Sequence, residues 1–150
     1  MTGARPLALA DATEVLLEYA AAIDERDWGR LHHCFTPDCT VRYDDRRLTG
    51  STAVAEFMGR VHRRIQSTLH RITNVRLDPS APTATTAYVD AILIRRHPAA
   101  DSVLRVAGVY HDTWAPFGDE WRIAQRHYRT IWREGSLDPA ASRGQDGRGF

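Results

Sequence analysis

Apolar positions follow two different periods along this chain. In residues 11–24, DATEVLLEYAAAID, the residues Ala12, Val15, Leu16, Tyr19, Ala20 and Ile23 recur every three or four places, the spacing of one face of an α-helix. Asp11, with Glu14 three places later, resembles a capping box in its aspartate form and sets the predicted start. At about 100° per residue, Tyr19 falls inside the apolar stripe and Asp24 at its edge, beside Ala20. A short second helix is predicted around DWGRLHHCF, with Trp28, Leu31 and Phe35 on one face and TPD as its breaker. CTVRYDD then alternates as a strand should, placing Val41 and Tyr43 on one side. RRLTG closes a hairpin-like connection, and a third helix starts near Ser51, with Val54, Phe57, Met58, Val61 and Ile65 as its buried stripe.

Beyond this point four strand-like stretches follow: residues 69–77, 83–97, 101–117 and 120–132. DPSAP, PAAD and FGD separate them with recognisable turn chemistry. The segment from Gly135 is small, polar and glycine-rich, so a domain over 1–134 and a flexible tail over 135–150 are expected. Helices first, then a run of long antiparallel strands, is an α+β pattern. A strongly curved sheet wrapped round one amphipathic helix makes a cone with an open mouth, and hence a pocket between helix and sheet.

Composition narrows the function. A formal net charge of +1 argues against a general nucleic-acid binder. No apolar run approaches the ~20 residues of a membrane span, and the first residues lack a signal-peptide core, so a cytoplasmic location is expected. All twenty basic residues are arginine, which removes a lysine Schiff base and a Walker-type phosphate loop from consideration. The two cysteines, Cys34 and Cys39, do not make a secreted disulfide framework.

Candidate chemistry centres on STLHRITNVRL, residues 67–77, a predicted strand with His70 near its start. A neutral imidazole takes a proton near neutral pH, and a carboxylate on its other nitrogen fixes the tautomer and stabilises the imidazolium once formed. His32, His33, Cys34 and Cys39 in HHCFTPDC fit no standard zinc spacing, so no metal is expected. His111 in GVYHDTW reads as a rim or interface residue, and as the reserve candidate for a second acid–base group.

The order helix, DW..L..CF.PDC, strand, LTG, helix and four strands resembles the SnoaL-like branch of the nuclear-transport-factor-2-like superfamily over roughly residues 8–133. TLHRITNVRL is especially similar to the matching strand of hexachlorocyclohexane dehydrochlorinase. Scytalone dehydratase and bile-acid 7α-dehydratase share the layout. The resemblance implies a cone-shaped α+β barrel (NTF2-like) and a lyase or isomerase without a cofactor. In those enzymes a histidine on this strand pairs with an aspartate ending the first helix, and the pair takes a proton from carbon; the matching positions are His70 and Asp24. It also implies catalytic support from Tyr19 and Arg126. Substrate contacts are expected from Tyr43, Asp90, Val41, Phe57 and Met58. The expected ligand is a small, mostly apolar ring metabolite, and the expected assembly a homo-dimer or homo-trimer. Two alternatives stand beside it: epoxide opening by carboxylate-activated water, using Asp90 and Arg126, and a non-catalytic ligand-binding module.

Overall fold

The computed structural model describes Gly3 and residues 5–138; the expected tail beyond Asp138 lies outside the described residues. The first helix, α1, spans Leu9–Asp24, and its N-cap is Ala8, three residues before the Asp11 that the capping pattern implies. Asp11 is therefore not the cap but the third helical residue. Its carboxylate accepts the Ala8 N–H at 2.8 Å and pairs with Arg5 at 2.6 Å, which satisfies one open donor of the helix end from inside the first turn. The apolar stripe does what its spacing predicts: Ala12, Leu16, Tyr19, Ala20 and Ile23 are buried.

A short 3-10 turn, Trp28–Arg30, leads into the single helical turn α2, Leu31–Cys34. Strand β1 then runs Phe35–Tyr43, through the TPD read from sequence as a breaker. The ladder to its neighbour, the last strand β6 (Glu120–Gly135), shifts register between Phe35 and Thr40. Pro37 falls in that gap, where its missing N–H removes no rung. Next come β2 (Arg46–Thr49) and α3 (Ser51–Val61). Of the expected α3 stripe, Val54 and Met58 are buried but Val61 is exposed, and Ile65 is buried from a turn beyond the helix.

The four long strands are β3 (Ser67–Asp78), β4 (Ala81–Arg95), β5 (Ser102–Phe117) and β6 (Glu120–Gly135). They join one six-stranded sheet in the order β2-β1-β6-β5-β4-β3, antiparallel throughout except for the parallel β1–β6 pair. Helix α1 lies on the inner face of this sheet, chiefly against β3. Inward positions alternate along the strands: Ala87, Val89 and Ala91 on β4, then Tyr110, Asp112 and Trp114 on β5. At the Trp114 end the core is solid, with Phe35, Trp121 and Ile123 buried and Trp114 Nε1 donating to Thr85 Oγ1 at 2.8 Å. No described helix is long and apolar enough to cross a membrane.

Candidate active site

The last residue of α1 and the start of β3 meet at the inner face. Asp24 Oδ1 accepts the ring Nδ1–H of His70 at 2.7 Å and the Thr68 hydroxyl at 2.8 Å, while Oδ2 accepts the His70 main-chain N–H at 2.9 Å. Burial alone would push the Asp24 carboxyl up. The hydrogen bonds from His70 and Thr68 outweigh it and hold the group below the ordinary carboxylate range. A neutral ring with its proton on Nδ1 carries a lone pair on Nε2, and that nitrogen forms no hydrogen bond among the described residues.

His70 lines a cavity of about 360 Å³ between α1, α3 and the sheet. Tyr19, Tyr43, Phe57, Met58, Tyr110 and Tyr128 form much of its wall, and Val89, Ala91 and Val106 form its floor on the sheet. Tyr43 stacks on Phe57 with ring centroids 6.0 Å apart. Its hydroxyl lies 2.9 Å from that of Tyr19. Burial pushes both phenols up despite the opposing charge of Arg126, so they stay protonated and can donate. Gly108 is what lets Tyr128 lie against the sheet: a Cβ there would stand 2.3 Å from the Tyr128 ring.

Arg126 does not face the cavity. Its guanidinium is fully buried in the core behind Tyr19 and Tyr110, where Nε and Nη2 each donate to an Asp112 carboxylate oxygen at 2.8 Å. Its Cζ stands 3.7 Å from the Tyr110 ring centroid and 4.5 Å from that of Tyr19. The expected catalytic support from Arg126 is corrected as regards direct contact with a ligand in this cavity, because the Tyr19 and Tyr110 rings lie over the charge. Val41 also points inward but packs in the core beside Arg126 rather than on the cavity wall. Asp90 is exposed on the outer face with Arg71 Nε 3.6 Å away, since Val89 and Ala91 take the inward positions. The carboxylate and arginine required for epoxide opening are therefore not in one pocket. His111 is exposed outside as well, its ring 6.4 Å from that of His127.

Sequence reasoning missed three residues. Asp112 carried a usable signal, an acid alternating between Tyr110 and Trp114 on an inward face. His62, at the end of α3, lines the cavity and donates its Nδ1–H to the Met58 carbonyl, 2.8 Å away, with its ring against Trp28. Arg133 lines the mouth. Among the described residues no three His, Cys, Asp or Glu side chains converge as metal ligands. His32 is bound to the Ser51 hydroxyl at 2.8 Å. Burial pushes the free thiols of Cys34 and Cys39 up to about 12 and about 11.

A family model described as a SnoaL-like domain matches residues 6–127. No curated protein matches the chain in sequence. Among solved structures, a scytalone dehydratase-like protein from Novosphingobium aromaticivorans aligns with a TM-score of 0.71 at 20% identity, over 85% of this chain and 87% of that one. A type 3 hexachlorocyclohexane dehydrochlorinase from Novosphingobium barchaimii gives 0.69 at 16% identity, over 85% and 88%. A nuclear transport factor 2-like superfamily protein from Salmonella enterica gives 0.64 at 20%, over 81% and 89%. At these identities the likeness is one of fold.

Proposed function

Since the chain belongs to the SnoaL-like domain family, we propose that it is a lyase or isomerase that removes a proton from carbon in a small, mostly apolar ring metabolite. His70 Nε2 takes the proton from a C–H next to a carbonyl, and the electron pair moves into the carbonyl oxygen. Asp24 stays ionised and stabilises the imidazolium through the Nδ1–H bond. Of the hydrogen-bonded Tyr19 and Tyr43 hydroxyls, one donates to the other and the second donates to the developing oxyanion. The pair then returns to expel a β-substituent, giving elimination, or to accept a proton elsewhere, giving isomerisation. The carbonyl is the electron sink, so the scheme calls for no cofactor. A base must be within reach of the reacting C–H and correctly protonated. The observation that supports this most is the 2.7 Å bond from Asp24 to His70 at the wall of an aromatic-lined cavity.

The test is a panel of cyclic β-hydroxy and β-halo ketones, followed by ultraviolet absorbance for the new conjugated double bond. Turnover by the parent that falls about 10²- to 10⁴-fold in His70→Ala supports the proposal. A His70→Ala protein working at the parent rate ends it.

The same proposal includes self-association. Leu69, Tyr88 and Trp132 are 57%, 51% and 50% exposed, and their positions alternate with inward residues, which sets them on the outer face of the sheet. An apolar face of this kind favours burial against a second copy. Light scattering should give a dimer or trimer; a monomer at micromolar concentration contradicts it.

A further inference from the structure

The sheet register sets Arg133 opposite His70. His70 pairs with Ala91, Ala91 with Val106, and Val106 with Arg133. All four line the same cavity. They form one row across β3, β4, β5 and β6, with the base at one end and a cation at the other. Three strand spacings put the two ends ~14 Å apart on a flat sheet, and curvature brings the side chains closer. Between them stand only Ala91 and Val106, small enough to leave a floor on which a flat ring can lie.

Arg133 reaches this face through a bulge. Gly108 pairs with Thr130 but Ala107 pairs with Trp132, so Ile131 is an extra residue on β6. Strict alternation from Tyr128 and Thr130 would send Trp132 inward and Arg133 out; the bulge exchanges them.

The charges around the cavity are otherwise engaged. Arg126 is held by Asp112, and Asp24 by His70 and Thr68. Asp44, the other fully charged residue on the lining, accepts the Thr130 N–H at 2.8 Å and its hydroxyl at 2.7 Å. Arg133 has neither an ion pair nor a hydrogen bond with any described residue.

We infer that Arg133 is an anion subsite, and that the ring ligand carries a carboxylate at the end remote from the reacting C–H. The guanidinium fork matches the two carboxylate oxygens. Held there, the ring lies over Val106 and Ala91 and presents its far edge to His70. The inference rests on the proposed reading of the cavity as a ring-ligand site, and it narrows the substrate class to cyclic carboxylic acids.

The test uses 2-naphthoate and its methyl ester, titrated calorimetrically into the whole protein at neutral pH. The acid should bind about tenfold tighter than the ester, the scale of one charge-assisted contact made by an exposed arginine at the cavity mouth. Arg133→Gln should abolish that preference while leaving ester affinity within about twofold. Equal affinities in the parent, a preference that survives in Arg133→Gln, or no binding of either probe each overturns the subsite. A confirmed preference alongside a proton-transfer-inactive parent would keep the subsite and end the assignment of His70 as base. Proton transfer with equal probe affinities would do the reverse.

Discussion

One carboxylate fixes both the ring and the main chain of His70: Asp24 Oδ1 meets Nδ1, and Oδ2 meets the His70 backbone N–H. The imidazole is thus oriented relative to its own strand, and Thr68 on the same strand adds a third bond. Asp24→Asn should keep the fold but lose most turnover, since an amide cannot accept all three donors or stabilise an imidazolium. A fall of about 10²-fold or more in kcat, with an unchanged circular dichroism spectrum, is the expected result.

The same contact makes stability depend on acid. The Asp24 carboxyl is held below its ordinary value in the folded chain. Its stabilising contribution is therefore present above the unfolded carboxylate value of about 3.9 and is lost as pH falls through the lower folded value. Urea midpoints measured down that range should fall less steeply in Asp24→Asn than in the parent.

His62 acts in a higher window. Burial lowers its folded value below the ordinary histidine value of 6.5, opposed by its bond to the Met58 carbonyl. Stability is then full above 6.5 and declines as pH drops from there through the folded value. His62→Gln should flatten that decline in thermal melts taken across weakly acidic pH.

Asp112 and Arg126 form a buried pair whose worth lies in its completeness. Removing one partner leaves an uncompensated charge under Tyr19 and Tyr110. Asp112→Ala should cost about 3–5 kcal/mol, whereas replacing both by apolar residues of similar volume should cost much less than the sum of the single changes. A double-mutant cycle in urea reads this directly.

Gly108 gives a steric counterpart. Its Cβ would meet the Tyr128 ring at 2.3 Å, so Gly108→Ala should destabilise by about 1–3 kcal/mol. The change should also reshape the cavity wall, seen as altered Tyr128 ring resonances.

What the sequence made legible, and what it hid, divides along physical lines. The α1 stripe was readable because Ala12, Leu16, Tyr19 and Ile23 keep a helical period over about three turns. Position 24 then follows, and with it half of the candidate pair. Strand β1 was clipped because Pro37 looks like a breaker; it is tolerated only where the β6 ladder is interrupted, a fact of pairing rather than of local sequence. Asp90 was misplaced because both faces of β4 carry apolar residues, Val89 and Ala91 inside against Tyr88 and Ile92 outside. Alternation alone could not choose between them. Arg126 entered through the resemblance, because spacing along β6 does not choose between its two faces, and the rings covering it come from α1 and β5, distant in sequence. Arg133 was invisible because one extra residue, Ile131, reverses the alternation beyond it.

Hydrogen exchange at carbon tests the central claim most directly, because it needs no leaving group and no knowledge of the product. A cyclic ketone carboxylic acid that binds the protein is incubated in deuterium oxide and followed by proton NMR. The parent should wash out the signal of one C–H next to the carbonyl, and His70→Ala and Asp24→Ala should slow that loss about 10²-fold or more. Exchange at the parent rate in both variants, or none in the parent, would contradict the assignment of His70 as the base and Asp24 as its partner.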